Sequence, residues 1–187
     1  MRRSTKIHVP GLLERLVDRI RGREQVMVRG TLPGPLLLVT HPRGQAEAAA
    51  DLEAAYAHLL PSLPAAIRSR YDTVLARLPA MVVVLLRPEN PCGCLGHHHV
   101  KVTESRLTRR LRGDLGDAIG EIDLAWESIR NWQPLPLSSL AAESLGAKLE
   151  EIHQQAALLA VLLHELEHLA YPEHAEREVR TTSNDFY

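Results

Sequence analysis

The sequence is poor in aromatic residues and has no long apolar run. Phe, Tyr and Trp make up 4% of its 187 residues, whereas hydrophobic residues make up 45%. We therefore expect a single domain with a core of Leu, Val, Ile and Ala. No apolar stretch approaches the ~20 residues that cross a membrane. The opening MRRSTKIHVPGLL also lacks the apolar segment of a secretory signal, so we expect neither export nor membrane association.

Cysteine is almost missing as well, since Cys92 and Cys94 are the only two in the chain. A disulfide between residues so close in sequence would close a very small ring. We therefore expect reduced thiols, and with them a cytoplasmic location.

Net charge is close to zero, at -1, which gives no overall attraction to nucleic acid. Residues 1–30 do carry eight Arg and Lys against three acids. An apolar stripe runs through this basic stretch and predicts an amphipathic helix over residues 10–21 with a solvated basic face. The stripe consists of Leu12, Leu13, Leu16, Val17 and Ile20. We expect no nucleic-acid partner.

The order of apolar patterns predicts an α+β fold, a small mixed sheet packed on helices. Residues 25–29 and 36–40 are strand-like and separated by a turn, which favours a hairpin. Residues 45–60 and 65–78 favour helices that are separated by prolines. The segment MVVVLL, residues 81–86, is typical of a buried strand.

The second half continues with a loop over residues 88–96, a candidate strand over 97–102 and an arginine-rich helix or loop over 104–118. Residues 121–129 alternate as a strand does, and a long helical pattern then runs to Ala170.

Two side-chain expectations accompany that strand. Asp123 and Glu127 should face solvent. Trp126 and Trp132 should pack in the interior, with lining of a cleft as the alternative for the tryptophans.

The long helical pattern ends in His164-Glu165-Leu166-Glu167-His168, an H-E-x-x-H motif. Histidines four apart on a helix project from one face and can hold one Zn²⁺. Glu165 beside them can take a proton from a metal-bound water. The preceding AALLAVLL is apolar, so these polar groups arrive at a buried helix end, where metal binding would compensate their burial.

A catalytic zinc site needs a third protein ligand and an open position. His174 is the first choice, because Tyr171 precedes Pro172 and the helix should stop near Ala170, so that the following turn can bring His174 back. The carboxylate alternatives are Glu178, foremost, and then Glu176 and Glu173.

A second group of ligand types lies in the loop before the arginine-rich segment. It is a candidate second metal cluster, made up of Cys92, Cys94, His97, His98 and His99. Its spacing fits no standard zinc knuckle. A glycine-rich turn, or a cleft-lining loop whose histidines contact substrate, are the alternatives.

The segment HELEHLAYPEH resembles the H-E-L-x-H-L-x-x-x-x-H segment of SprT-like and YgjP-like zincin metallopeptidases, whose third histidine stands at the spacing of His174. GEIDLAWESIRNWQPLP resembles their edge strand, which pairs with an extended peptide. The likeness covers roughly residues 118–178. The family continues after its third histidine with serine and then Phe-Trp, whereas Ala175 to Glu178 follow here. The run E-x-E-V-R resembles ImmA/IrrE-like gluzincins instead and favours Glu178 as the ligand.

The resemblance implies a zincin-like fold and hydrolysis of peptide bonds in a peptide or protein substrate, with Zn²⁺ as cofactor and Glu165 as general base. Residues 1–79 would form an N-terminal helical and hairpin portion of the single domain, and residues 80–187 its zincin-like catalytic portion. Two alternatives are a zinc hydrolase for a non-peptide amide and a non-catalytic binding module stabilised by metal. The oligomeric state is not predicted.

Overall fold

A computed structural model describes residues 23–132 and 139–183. The amphipathic helix predicted over residues 10–21 lies outside the described residues. The described chain is a mixed α+β structure in which one sheet takes strands from both sides of residue 80.

The sheet has five strands in the order β1-β2-β3-β5-β4. They are β1 (Arg23–Arg29), β2 (Leu36–Pro42), β3 (Met81–Arg87), β4 (Gly96–His98) and β5 (Ile119–Ala125). β1 and β2 form the predicted antiparallel hairpin, and β2, β3 and β5 run parallel. β4 is antiparallel to β5 and forms one edge of the sheet. The hairpin and the strand at MVVVLL are confirmed.

Seven α-helices accompany the strands within the described residues. They are α1 (Ala46–Glu53), α2 (Leu60–Ser62), α3 (Ala65–Arg77), α4 (Arg106–Leu115), α5 (Trp126–Asn131), α6 (Ser139–Ala170) and α7 (Glu176–Ser183). A π-helical segment, Ala54–Leu59, joins α1 to α2. Pro61 follows it and has no N–H to give the carbonyl of Ala57, which accepts a bond from the Thr31 hydroxyl instead.

The two faces of the sheet carry cores of different size. The larger core packs side chains of α1, α3 and α6, among them Leu163 of α6, on strand residues that include Val39, Val84 and Ile122. The smaller core lies on the opposite face and includes Leu111 of α4. Strands that are covered on both faces read as continuous apolar runs, which explains MVVVLL.

The strand predicted over residues 121–129 is placed differently from our expectation. β5 lies between β3 and β4, so it is not an edge strand, and all seven of its residues are buried. Its chain turns into helix α5 at Trp126, which is 5% exposed and packs as predicted. Asp123 is also 5% exposed, so the expectation that it faces solvent was wrong. The edge next to β5 is formed instead by β4, so only residues 97 and 98 of the strand predicted over 97–102 lie in a strand.

The structure joins Cys92 to Cys94 in a disulfide, so the expectation of reduced thiols was wrong. Gly93 between them has a φ of 72°, a backbone conformation that glycine adopts without steric cost, and this turn brings the two sulfurs together. The expected cytoplasmic location rested on free thiols and loses that support. No helix among residues 23–132 and 139–183 is long and apolar enough to span a membrane.

Candidate metal centre

The H-E-x-x-H motif occupies the last two turns of α6, which ends at Ala170 as predicted. The N–H of Tyr171 still donates to the carbonyl of Glu167 at 2.9 Å, but Pro172 has no N–H to continue the helix. The chain then turns, with the N–H of His174 bonded to the carbonyl of Tyr171 at 3.0 Å. This turn starts α7 next to the face of α6 that carries the two motif histidines.

Glu176, the first residue of α7, brings its carboxylate to both histidines. Its Oε1 lies 3.4 Å from Nε2 of His164, and its Oε2 lies 3.0 Å from Nε2 of His168. The three side chains each offer one ligand atom, and these atoms lie within 4.8 Å of one another. Two imidazole nitrogens and one carboxylate oxygen are a donor set that zinc accepts.

His174, the first choice from the sequence, is placed elsewhere. Its Nδ1 lies 3.8 Å from Oε1 of Glu167, and its ring stacks on Tyr171 with centroids 4.6 Å apart. Glu178 accepts a 2.7 Å bond from the N–H of Ala175, so it caps the start of α7. Among the described residues, the geometry therefore favours Glu176 over His174 and Glu178 as the third ligand. Glu176 was named from the sequence only as a lesser alternative.

Glu165 lies against the β4 edge of the sheet. The residue is 5% exposed, and its Oε2 is 3.7 Å from Nδ1 of His98. A Cβ on Gly96 would come within 2.5 Å of the Glu165 Oε1 and 2.6 Å of its Cγ. Only glycine at this position allows the strand to approach the carboxylate so closely. His98 also stacks on the ring of His168, with centroids 4.7 Å apart.

A cleft of about 710 Å³ opens over these residues. It is lined by His164, Glu165, His168 and Glu176 and by the segment from Gly93 to His98. Trp132 also lines the cleft and is 37% exposed, which matches the alternative considered for it. The candidate site is thus open to a molecule much larger than water.

The candidate cluster of Cys92, Cys94, His97, His98 and His99 is divided in the structure. Both sulfurs are in the disulfide, so no thiolate is present to bind a metal in this state. Successive side chains of a strand point to opposite faces, and the histidines follow this rule. His98 faces α6, whereas His99 faces β5 side chains on the opposite side of the sheet.

On that face His99 lies beside two buried acids, Glu121 and Asp123. We call these three residues the β5 carboxylate cluster. Nε2 of His99 lies 3.3 Å from Oδ1 of Asp123 and 3.9 Å from Oε1 of Glu121. The contact with Asp123 raises the pKa of His99, against the effect of burial. These three ligand atoms also lie within 4.8 Å of one another.

The β5 carboxylate cluster was missed at the level of sequence, although a signal for it was present. Glu121 and Asp123 alternate within IGEIDLA, a segment that is otherwise apolar or small. A strand buried on both faces can keep two carboxylates only where cations or donors meet them. Recognition of β5 as an interior strand would have shown that these acids need partners.

Comparison with protein-family models, curated proteins and solved structures finds no match for this chain. The likeness to SprT-like and YgjP-like zincins therefore stays a prediction.

Proposed function

We propose that this chain is a zinc-dependent peptidase of zincin type, with His164, His168 and Glu176 as metal ligands. The observation that carries the proposal is their convergence beside Glu165 at the floor of an open cleft. Three protein ligands leave a coordination position for water or substrate, which is the arrangement of catalytic rather than structural zinc sites.

The burial of the two imidazoles supports a metal ion at this position. The His168 side chain is 8% exposed and the His164 side chain 17%, so both rings are largely withdrawn from water. The Glu176 side chain is 54% exposed and approaches them from the open side. When bound there, zinc supplies Lewis acidity that makes water a nucleophile near neutral pH.

Glu165 is the proposed general base. Its carboxylate is next in sequence to His164, faces the same cleft and is held against β4 by the close approach of Gly96. Burial keeps the carboxylate out of bulk water but within reach of a molecule in the cleft. In this role Glu165 accepts the proton of the attacking water and then gives it to the departing amine.

The edge position of β4 favours a peptide over a small amide as substrate. An edge strand has backbone N–H and C=O groups that can pair with an added strand. The residues of β4 line the same cleft as Glu165, so an extended peptide paired there would cross the proposed metal position. The peptide-pairing role that the resemblance gave to residues 120–136 would thus fall to β4.

The experiment measures zinc content and peptide cleavage on the same preparations. The full chain is loaded with zinc and incubated with a mixture of unlabelled peptides, and products are read by mass spectrometry. Glu176→Gln is compared with Glu178→Gln, the same chemical change two residues later on α7. We expect Glu176→Gln to lower zinc affinity by at least ~10-fold and to abolish cleavage, because one of three ligands is weakened.

Glu178→Gln and His174→Gln should keep both zinc and cleavage. Loss of zinc in His174→Gln with retention of zinc in Glu176→Gln would mean that His174, the first choice from the sequence, is the third ligand. Zinc binding without cleavage of any peptide, together with a fourth protein ligand detected by X-ray absorption, would favour the non-catalytic binding module. A wild-type chain that binds no zinc at this site would contradict the proposal altogether.

A further inference from the structure

The β5 carboxylate cluster has the features of a metal site on the face of the sheet opposite α6. Its acids are almost fully withdrawn from solvent, with side chains 1% exposed for Glu121 and 7% for Asp123. The His99 side chain is 12% exposed. An imidazole and two carboxylates that are gathered in a dry environment need protons, cations or a metal ion to balance them.

Two of the converging atoms have no hydrogen-bond partner. They are Nε2 of His99 and Oδ1 of Asp123, both buried. They lie 3.3 Å apart without forming an aligned hydrogen bond. Two ligand atoms at tetrahedral angles around zinc, with bonds of about 2.0–2.1 Å, stand about 3.3 Å apart. The separation fits a shared ion.

The other atoms of the same three side chains are each held by a neighbouring group. Nδ1 of His99 lies 3.3 Å from the Thr103 hydroxyl. Oδ2 of Asp123 accepts a 2.6 Å bond from Nε of Arg87. Metal ligands are commonly oriented in this way, with the non-binding atom fixed by a hydrogen bond.

Glu121 is held most firmly of the three. Its Oε2 accepts hydrogen bonds from the hydroxyls of Ser105 and Thr108, and its Oε1 accepts one from the N–H of Ser105 at 2.8 Å. Oε1 can accept a second bond or bind an ion, and it lies 3.9 Å from Nε2 of His99. Donors therefore surround the cluster on its outer side, and the three remaining ligand atoms face inward.

We propose that His99, Glu121 and Asp123 bind a second divalent transition-metal ion, with zinc or manganese as the class that accepts one imidazole and two carboxylates. The ion would fasten the end of the three-residue strand β4 to β5. Because His98 and Gly96 belong to that strand, the ion would also fix the wall of the cleft on the opposite face. The second site itself does not depend on the proposed peptidase activity.

The rival account is a plain ion pair between His99 and Asp123, in which no metal binds. The experiment removes the first site and asks whether an ion remains. The full chain and its His164→Gln/His168→Gln variant are stripped with chelator, dialysed against zinc or manganese, and analysed by elemental mass spectrometry. With zinc we expect about two ions per chain in the wild type and about one in the double variant. Zinc should also raise the Tm of the double variant, because an ion that binds only the folded chain stabilises it.

His99→Gln and His97→Gln, each added to the double variant, locate the remaining ion. His97 is a neighbouring and more exposed residue of β4 whose ring lies edge-on to that of His99, with centroids 5.0 Å apart, so it controls for the loss of an adjacent imidazole. The remaining ion and its Tm increase should be lost with His99→Gln and kept with His97→Gln. If circular dichroism shows that His99→Gln does not fold, Asp123→Asn takes its place. The metal content of the double variant tests whether a second ion binds at all, whichever of these variants folds.

A double variant that binds neither metal and shows no Tm increase would overturn the second site while leaving the proposed peptidase untouched. An ion that is lost with His97→Gln and kept with His99→Gln would overturn it too. Conversely, a wild-type chain with about one ion that survives loss of His164 and His168 but not of His99 would support the second site and contradict the zinc centre of the peptidase.

Discussion

The two groups of side chains that could bind a metal ion lie on opposite faces of the same corner of the sheet, and they differ in how they are held. The group on α6 opens into a cleft, and its third member, Glu176, has a side chain 54% exposed. The β5 carboxylate cluster is enclosed, and its acids are held by hydroxyls, an amide and an arginine. An open group suits a reaction with an incoming molecule, whereas an enclosed group suits a structural tie.

Strand β4 connects the two groups, because alternate residues of a strand face opposite sides. His98 contacts Glu165 and His168, and the next residue, His99, contacts Glu121 and Asp123. A slip of one residue in the register of β4 would exchange these partners. The short pairing of Gly96, His97 and His98 with β5 therefore organises both faces at once.

The strongest test of the contrast is Glu165→Gln. If Glu165 is the general base, this change should lower kcat by about 10³-fold, because the amide cannot accept a proton. The zinc content should stay the same, since Glu165 is not among the proposed ligands. Single-turnover cleavage together with metal analysis on one preparation measures both effects.

Glu167→Gln is the matched control for that change. Glu167 is two residues away on α6 and equally buried, but its Oε1 is directed to His174 rather than to the cleft. Its kcat should stay close to that of the wild type. An equal loss of kcat in both variants would mean that either substitution disrupts the end of α6. That result would contradict the role of Glu165 as general base.

A second test acts on the contact between β4 and Glu165. Gly96→Ala would place a Cβ within 2.6 Å of the Glu165 Cγ, so the carboxylate must shift away. We expect kcat to fall by about 10²-fold with little change in zinc content, since a small displacement of a catalytic group is costly. Peptide cleavage and metal analysis check the two parts of this expectation.

Gly113→Ala is the corresponding control, because a Cβ at Gly113 in α4 meets nothing within 4 Å. It should leave kcat unchanged and add up to about 1 kcal/mol of stability, since alanine favours a helix over glycine. A Gly96→Ala variant with full activity would show that the approach of β4 does not position Glu165.

Much of the fold could be predicted from local patterns. The hairpin and β3 follow from apolar runs separated by turn residues, and the end of α6 follows from Tyr171-Pro172. The order of the strands could not be predicted in this way. The pairing of β4 with β5 joins residues that are about 25 positions apart in the sequence. In addition, the Gly and His residues of β4 have little strand propensity of their own.

The same limit applies to the candidate site. The pair His164 and His168 with Glu165 follows from helical spacing alone. The meeting of Glu176 with that pair depends on the turn between α6 and α7, where the neighbouring His174 swings to Glu167 instead. The β5 carboxylate cluster joins distant segments of the chain, so spacing along the sequence does not reveal it.

The smallest expected effect comes from loosening the enclosed group without touching its ligands. Thr108→Val keeps the shape of the side chain but removes the hydroxyl that donates to Glu121. The carboxylate then loses one of three donors in a dry site, which should cost about 2 kcal/mol of unfolding free energy and lower Tm by roughly 4–8 °C. Thr73→Val, at an exposed helical position of α3, should change Tm by no more than about 2 °C. Peptide cleavage at 25 °C should be unaffected in both variants, because Thr108 lies on the face of the sheet opposite the cleft. Equal Tm values for the two variants would mean that the hydroxyl does not stabilise Glu121. A loss of cleavage in Thr108→Val alone would mean that a change on one face of the sheet alters the cleft on the other face through β4.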